Sequence, residues 1–109
     1  KKPWGSYKSL LSLDGFQVKV LNIDSGHQLS LQRHKHRSEH WTIVLGEAEI
    51  IKDNETLHLT VDESVYFNKN EIHSVKNSGN TLLKIIEVQV GDYLGEDDIE
   101  RLSDIYDRS

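Results

Sequence analysis

The chain has 109 residues, 28% of them charged, and a net charge of −5, a size that supports one domain with a single modest core. The acidic balance leaves no basic stripe to neutralise a phosphate backbone, which argues against nucleic acid, and no apolar run has the length of a membrane span or a signal-peptide core. The absence of cysteine excludes disulfides and thiolate metal sites and fits a reducing compartment such as the bacterial cytoplasm.

Taken in chain order, short segments rich in Val, Ile, Leu and Thr predict strands over 17–23, 28–32, 41–45, 48–51, 55–60, 64–68, 73–76 and 82–90. Turn-forming clusters separate them, among them Asp24-Ser25-Gly26, Lys52-Asp53-Asn54, Asn68-Lys69-Asn70 and Asn77-Ser78-Gly79-Asn80. Many short strands at this spacing describe a small all-β barrel or sandwich. In the first of them Phe16, Val18 and Val20 alternate with Gln17 and Lys19. In a sandwich the polar pair faces water, whereas in a barrel with a ligand-holding lumen it points inward. Both readings stay open. After Gly95 the run 96–108 opens with acids and places Ile99, Leu102, Ile105 and Tyr106 on one helical face. It predicts a short C-terminal helix, capped by Glu96 or Asp97, lying across the barrel. Methionine is absent, so a processed chain or a piece of a longer polypeptide is expected.

The segment 29–46, LSLQRHKHRSEHWTIVLG, gathers three of the six histidines. His34 and His36 are one residue apart, so in extended backbone both imidazoles leave the same face. Imidazole suits zinc, manganese, iron, nickel or copper, and an added carboxylate suits the harder of these ions. Glu39 follows a short bend with His40 beside it. Because strand neighbours point to opposite faces, only one of the two can join the same site. Against a metal site stands the simpler picture of a charged loop, since Arg33, Lys35 and Arg37 are interleaved with the histidines.

His73 follows the turn at 68–70, and with it the pattern resembles the two-part signature of the cupin superfamily. The first motif reads G-x5-HxH-x(2–4)-E-x6-G. His34, His36, Glu39 and Gly46 match it, while Gly26 lies seven residues before His34 rather than five. The second reads G-x5-PxG-x2-H-x3-N. Here Asp62, Asn68 and Asn70 replace its two glycines and proline, and His73 and Asn77 keep its histidine and asparagine. Asn tolerates the left-handed turn that Gly provides, so Asn70 is a workable replacement. The ligand set implied by the resemblance is His34, His36, Glu39 and His73, with His40 as the alternative to Glu39.

PWGSY at 3–7, GFQVKV at 15–20, LSLQRHKHRSEHW at 29–41 and IIEVQVGDYLGEDDIERLSDIYDR at 85–108 are together similar to the C-terminal cupin domain of bacterial type II phosphomannose isomerases. Lys2 stands where that family has arginine before PWG, and 68–70 depart from PxG. The resemblance implies a single cupin domain over 1–109, a jelly-roll barrel without the guanylyltransferase domain such proteins often carry. It further implies interconversion of mannose 6-phosphate and fructose 6-phosphate in GDP-mannose and polysaccharide precursor metabolism. A divalent ion is expected, zinc ahead of manganese, nickel, cobalt or iron. Gln32, on the His34 face, is placed against the ion or a sugar hydroxyl. Glu87 is the expected base, with Gln89 on its side of the strand, unless it is a solvated strand residue. Lys19 and Arg101 are preferred over Arg33 and Arg37 for the phosphate. The rivals are a non-catalytic cupin binding a sugar phosphate or nucleotide sugar, and an iron-dependent oxygenase. A cytoplasmic homodimer is expected, pairing through an apolar sheet face.

Overall fold

The computed structural model describes residues 2–103. Ten strands follow in order: β1 (Gly5–Leu13), β2 (Phe16–Ile23), β3 (Leu31–Arg33), β4 (Arg37–Leu45), β5 (Ala48–Lys52), β6 (Glu55–Leu59), β7 (Ser64–Phe67), β8 (His73–Asn77), β9 (Leu83–Gly91) and β10 (Glu100–Ser103). They form two five-stranded sheets, ordered β1-β2-β9-β4-β7 and β10-β3-β8-β5-β6. Every pairing described between them is antiparallel. The expected all-β barrel is therefore found. One apolar cluster joins Ile23, Ile43, Leu83 and Ile85 of the first sheet to Ala48, Ile50 and Val75 of the second.

Strict alternation orders the first sheet. Along β2, β4 and β9 every second residue is buried, and the ladder aligns those residues in rows. Leu21 faces Ile85, which in turn faces Ile43, and Ile23 faces Leu83. Further along, Glu87 lies between Lys19 and Trp41, and Gln89 lies between Gln17 and Glu39. The lumen is thus divided along its length into an apolar half and a polar half. Gln17 and Lys19 are buried, so the inward reading of β2 is correct and the water-facing one is not. The reason is the alternation itself: Leu21 and Ile23 must enter the core, and the residues at 17 and 19 share their face. The outer face keeps Leu11, Leu13 and Val90 exposed.

The predicted strands correspond to β2–β9, although β3 begins later than expected and Gln28 contributes only an isolated bridge to Lys76. Two strands were not predicted. In β1 most residues are exposed, so no apolar alternation marks it. The other is β10, which lies where a helix was expected. Among the described residues there is no helix. Glu100 and Arg101 pair instead with Arg33 and Gln32, and Ser103 pairs with Leu31. An isolated helix of about this length is marginal in water, and β3 offers an edge whose amides and carbonyls need partners. Leu102, expected on the packed face of the helix, is exposed. Ile105 and Tyr106 lie outside the described residues.

Asp62 and Asn70 occupy the glycine positions of the second motif and both adopt positive φ, 77° and 65°, so the left-handed turns persist without glycine. The Asn70 amide donates to the His34 carbonyl at 2.7 Å, tying the turn before β8 to the segment after β3. Gly91, at the end of β9, is required for another reason: a Cβ there would lie 2.1 Å from the His36 carbonyl oxygen. That close approach presses β9 against the loop joining β3 to β4.

Candidate metal centre

Residues 34–36 form a bend between β3 and β4, and the inward parity shifts across it. Gln32 and His34, which opens the bend, are buried, then Arg37, Glu39 and Trp41 after it. The extended backbone assumed for His34 and His36 is absent, so they part company. His36 is 53% exposed, with Nδ1 3.9 Å from Asp92 Oδ1 and its ring edge-on to Tyr93. The structure does not bring His36 to the site. His40 is also excluded, being exposed on the outer face against the Tyr66 ring.

Three of the expected ligands do meet. One donor atom from each of His34, Glu39 and His73 lies within 4.8 Å of the others, and all three residues are buried. Glu39 Oε2 is 3.4 Å from His34 Nε2, and Oε1 is 3.7 Å from His73 Nε2. Each imidazole is oriented by the backbone. His34 Nδ1 donates to the Asp98 carbonyl at 2.6 Å, and His73 Nδ1 donates to the Glu71 carbonyl at 3.0 Å. Both Nε2 lone pairs therefore face inward, the arrangement that metal-binding histidines use. His73 Nε2 is buried with no hydrogen-bond partner, a costly state for a polar atom that a cation would relieve. Gln32 stands opposite His73 in the β3–β8 ladder and is buried beside it. This set of N and O donors fits a divalent ion.

Around the three, a hydrogen-bonded network holds the carboxylates. Glu39 accepts from Arg37 Nε at 2.8 Å, Trp41 Nε1 at 3.0 Å and Gln89 Nε2 at 3.1 Å. Gln89 also donates to Glu87 at 2.7 Å and accepts from Gln17. Arg37 Nη2 lies 3.3 Å from His34 Nε2. Burial opposes ionisation of Glu39, yet the imidazoles of His73 and His34 and the Arg37 guanidinium hold its carboxyl down at about 2. Burial first, then the Glu39 charge, raises Glu87 well above the carboxylate range. Burial lowers the proton affinity of both histidines, against the opposing pull of the Glu39 carboxylate.

A cavity of about 560 Å³, counted to its open mouth, runs from these residues to the surface. Lys19, Glu87 and Arg101 all line it. Lys19 is buried, its ammonium bonded to Glu96 and 4.9 Å from the Tyr7 ring centroid. Arg101 is exposed at the cavity wall. Arg33 is partnered with Glu100 at 2.9 Å on the surface. Arg37 belongs to the buried network rather than to the mouth.

Sequence reasoning missed the part played by 92–98. Leu94 and Gly95 carbonyls accept from Gln17 and Arg37, Glu96 bonds Lys19, and the Asp98 carboxylate accepts from two amides of the bend. They lie in the stretch 85–108 that carries the family resemblance, but nothing in it tells their contacts, and in sequence their acids suit a helix cap equally well. The parity shift did have a signal: Gln32 and His34 alternate on one side of the bend, Arg37, Glu39, Trp41 and Ile43 on the other.

A family model described as Mannose-6-phosphate isomerase C-terminal matches residues 1–104. The chain is 49% identical over 108 residues to the alginate biosynthesis protein AlgA of Pseudomonas aeruginosa, covering 99% of this chain and 22% of that protein. It is 47% identical over 108 residues to the xanthan biosynthesis protein XanB of Xanthomonas campestris, covering 99% and 23%. A mannose-1-phosphate guanylyltransferase of Sinorhizobium fredii is 44% identical over 103 residues, covering 94% and 20%. The chain thus spans about a fifth of the length of these relatives. Among solved structures, a double-stranded β-helix protein of Klebsiella pneumoniae superposes with a TM-score of 0.81 at 20% identity, covering 95% of this chain and 88% of that one. The cupin domain of Schizosaccharomyces pombe Cnp3 gives 0.74 at 19%, covering 79% and 64%. These two show the fold, which is that of a cupin.

Proposed function

Because the chain belongs to the mannose-6-phosphate isomerase C-terminal family, we propose that it interconverts mannose 6-phosphate and fructose 6-phosphate with the aid of a divalent ion. The observation that carries this reading is the buried convergence of His34, Glu39 and His73 at the inner end of an open cavity. Gln32 takes the place expected of His36, so that the ion would rest on Gln32, His34, Glu39 and His73. A cation held there would supply positive charge to stabilise negative charge developing on substrate oxygens, and would offset the Glu39 charge that adds to burial in raising the proton affinity of Glu87.

The remaining work falls to the protein. Aldose–ketose exchange removes a proton beside a carbonyl and returns it one carbon away. Glu87 is the base in this proposal: buried, facing the cavity, and held by Gln89 at 2.7 Å. Its raised proton affinity suits a group that must carry the proton between two carbons. Lys19, on the neighbouring strand and directly across from Glu87, and Arg101 at the wall provide cations for the phosphate. Trp41, buried and lining the cavity, gives its inner end an apolar wall.

A coupled assay with mannose 6-phosphate tests the reading. Turnover should be abolished by a chelator and restored by a divalent ion, and Glu87→Gln should lower it by about 10²- to 10⁴-fold. Parental turnover in Glu87→Gln would remove Glu87 as the base. Metal content should be stoichiometric and lost in the His34→Ala/His73→Ala double variant. Retention of the ion would refute the ligand set.

A further inference from the structure

We propose that Asp98 is a positioning residue of the metal centre, clamping the bend 34–36 so that His34 keeps its Nδ1–H tautomer and presents Nε2 to the ion. The inference rests on the reading of His34 as a ligand and adds a group outside that ligand set. One residue supplies three contacts to three consecutive positions. The Asp98 carbonyl accepts from His34 Nδ1 at 2.6 Å, Oδ1 from the Lys35 amide at 2.9 Å and Oδ2 from the His36 amide at 2.9 Å.

The bend is where such a clamp is needed. Between Arg33 and Arg37 the chain leaves the ladder, so the amides of Lys35 and His36 have no strand partner there. A carboxylate with an oxygen for each is a strong acceptor for such a pair. The backbone of Asp98 is itself held from the other side, where Asp98 N donates to the Gly95 carbonyl at 3.1 Å. The two side-chain bonds then fasten the bend to that backbone and hold His34 against the carbonyl that selects its tautomer. Removing the side chain leaves the carbonyl in place and releases the bend from it. A partner that orients a ligating imidazole in this way is typically worth about 10- to 100-fold in metal affinity. Asp97, its neighbour, touches Tyr93 instead and serves as the internal control.

The test uses the metal-free chain and zinc alone, with two readouts. The zinc dissociation constant, from competition with a chromogenic chelator, should rise about 10- to 100-fold in Asp98→Ala and stay within about twofold of the parent in Asp97→Ala. Long-range ¹H–¹⁵N spectra of the metal-free chain should show His34 as the Nδ1–H tautomer in the parent and as a mixture in Asp98→Ala. Unchanged zinc affinity or an unchanged tautomer in a folded Asp98→Ala chain overturns the proposal. Should that variant fail to fold, Asp98→Asn, which keeps one acceptor and sets an amide against the other N–H, takes its place. Weaker zinc binding and a mixed tautomer in Asp98→Asn support the clamp, and parental behaviour in either measurement overturns it. Lack of isomerase turnover in the parent would defeat the functional reading and leave these outcomes untouched.

Discussion

Arg37 shows how much one side chain decides at the residue scale. It is buried, bonded to Glu39 and within reach of His34, so in the metal-free chain it supplies the fixed positive charge beside the Glu39 carboxylate. Arg37→Leu should destabilise the metal-free protein by about 3 kcal/mol, the usual consequence of stripping a buried charge of its partner. Added zinc should recover much of that loss in a thermal melt, because a cation on Glu39 restores the balance. Glu87 carries the opposite problem. The unfolded chain releases its proton near the ordinary value of 4.5 while the folded chain retains it. Folded protein then binds more protons, and this group's contribution to stability falls as pH rises above about 4.5. His34 and His73, lowered by burial from 6.5, act with the other sign, their contribution being lost as pH drops below about 6.5. Urea melts of the parent and of Glu87→Gln from mildly acidic to mildly basic pH separate the two: the variant should gain on the parent as pH increases. Legibility at this scale is uneven. Glu39, His73 and Glu87 can be placed from parity and motif, because each sits in a regular strand. His36 cannot, because its placement assumes an extended backbone at the very point where the chain bends, and a two-residue rule has no meaning across a bend.

Elements are more legible than their ends. Strands β4 and β5 carry apolar residues at every second position, Trp41 and Ile43 in one and Ala48 and Ile50 in the other, which are satisfied with that face turned inward, and their positions follow. The segment after Gly95 is ambiguous in sequence, since helical periodicity and strand alternation both find apolar residues in so short a stretch, and only the partner decides. That partner is the edge of β3. Arg101→Pro removes a ladder amide and should weaken β10. Hydrogen exchange at Leu31–Arg33 should then quicken while Ile50 and Ile85, in the apolar cluster, keep their protection. Equal quickening at both places would mean that β10 is integral to the core rather than a cover on its edge. Nothing in composition foretells that 92–98 fold over the polar rows, because contacts made by loop carbonyls leave no trace in side-chain pattern.

For the molecule as a whole, a ligand that binds only the folded state stabilises it by mass action. Free zinc at about a hundredfold excess over its dissociation constant adds about 2.7 kcal/mol, which for a domain of this size raises Tm by roughly 10 °C. A chelator should reverse the rise, and the His34→Ala/His73→Ala variant should show none. The longitudinal division of the lumen has a consequence for the history such a chain can have. Leu21, Ile23, Ile43, Leu83 and Ile85 secure the sheets from one end, while donors and acceptors occupy the other. Replacements among the second group can redirect chemistry without loosening the first, so descendants of one scaffold are free to exchange reactions while inheriting the same foundation.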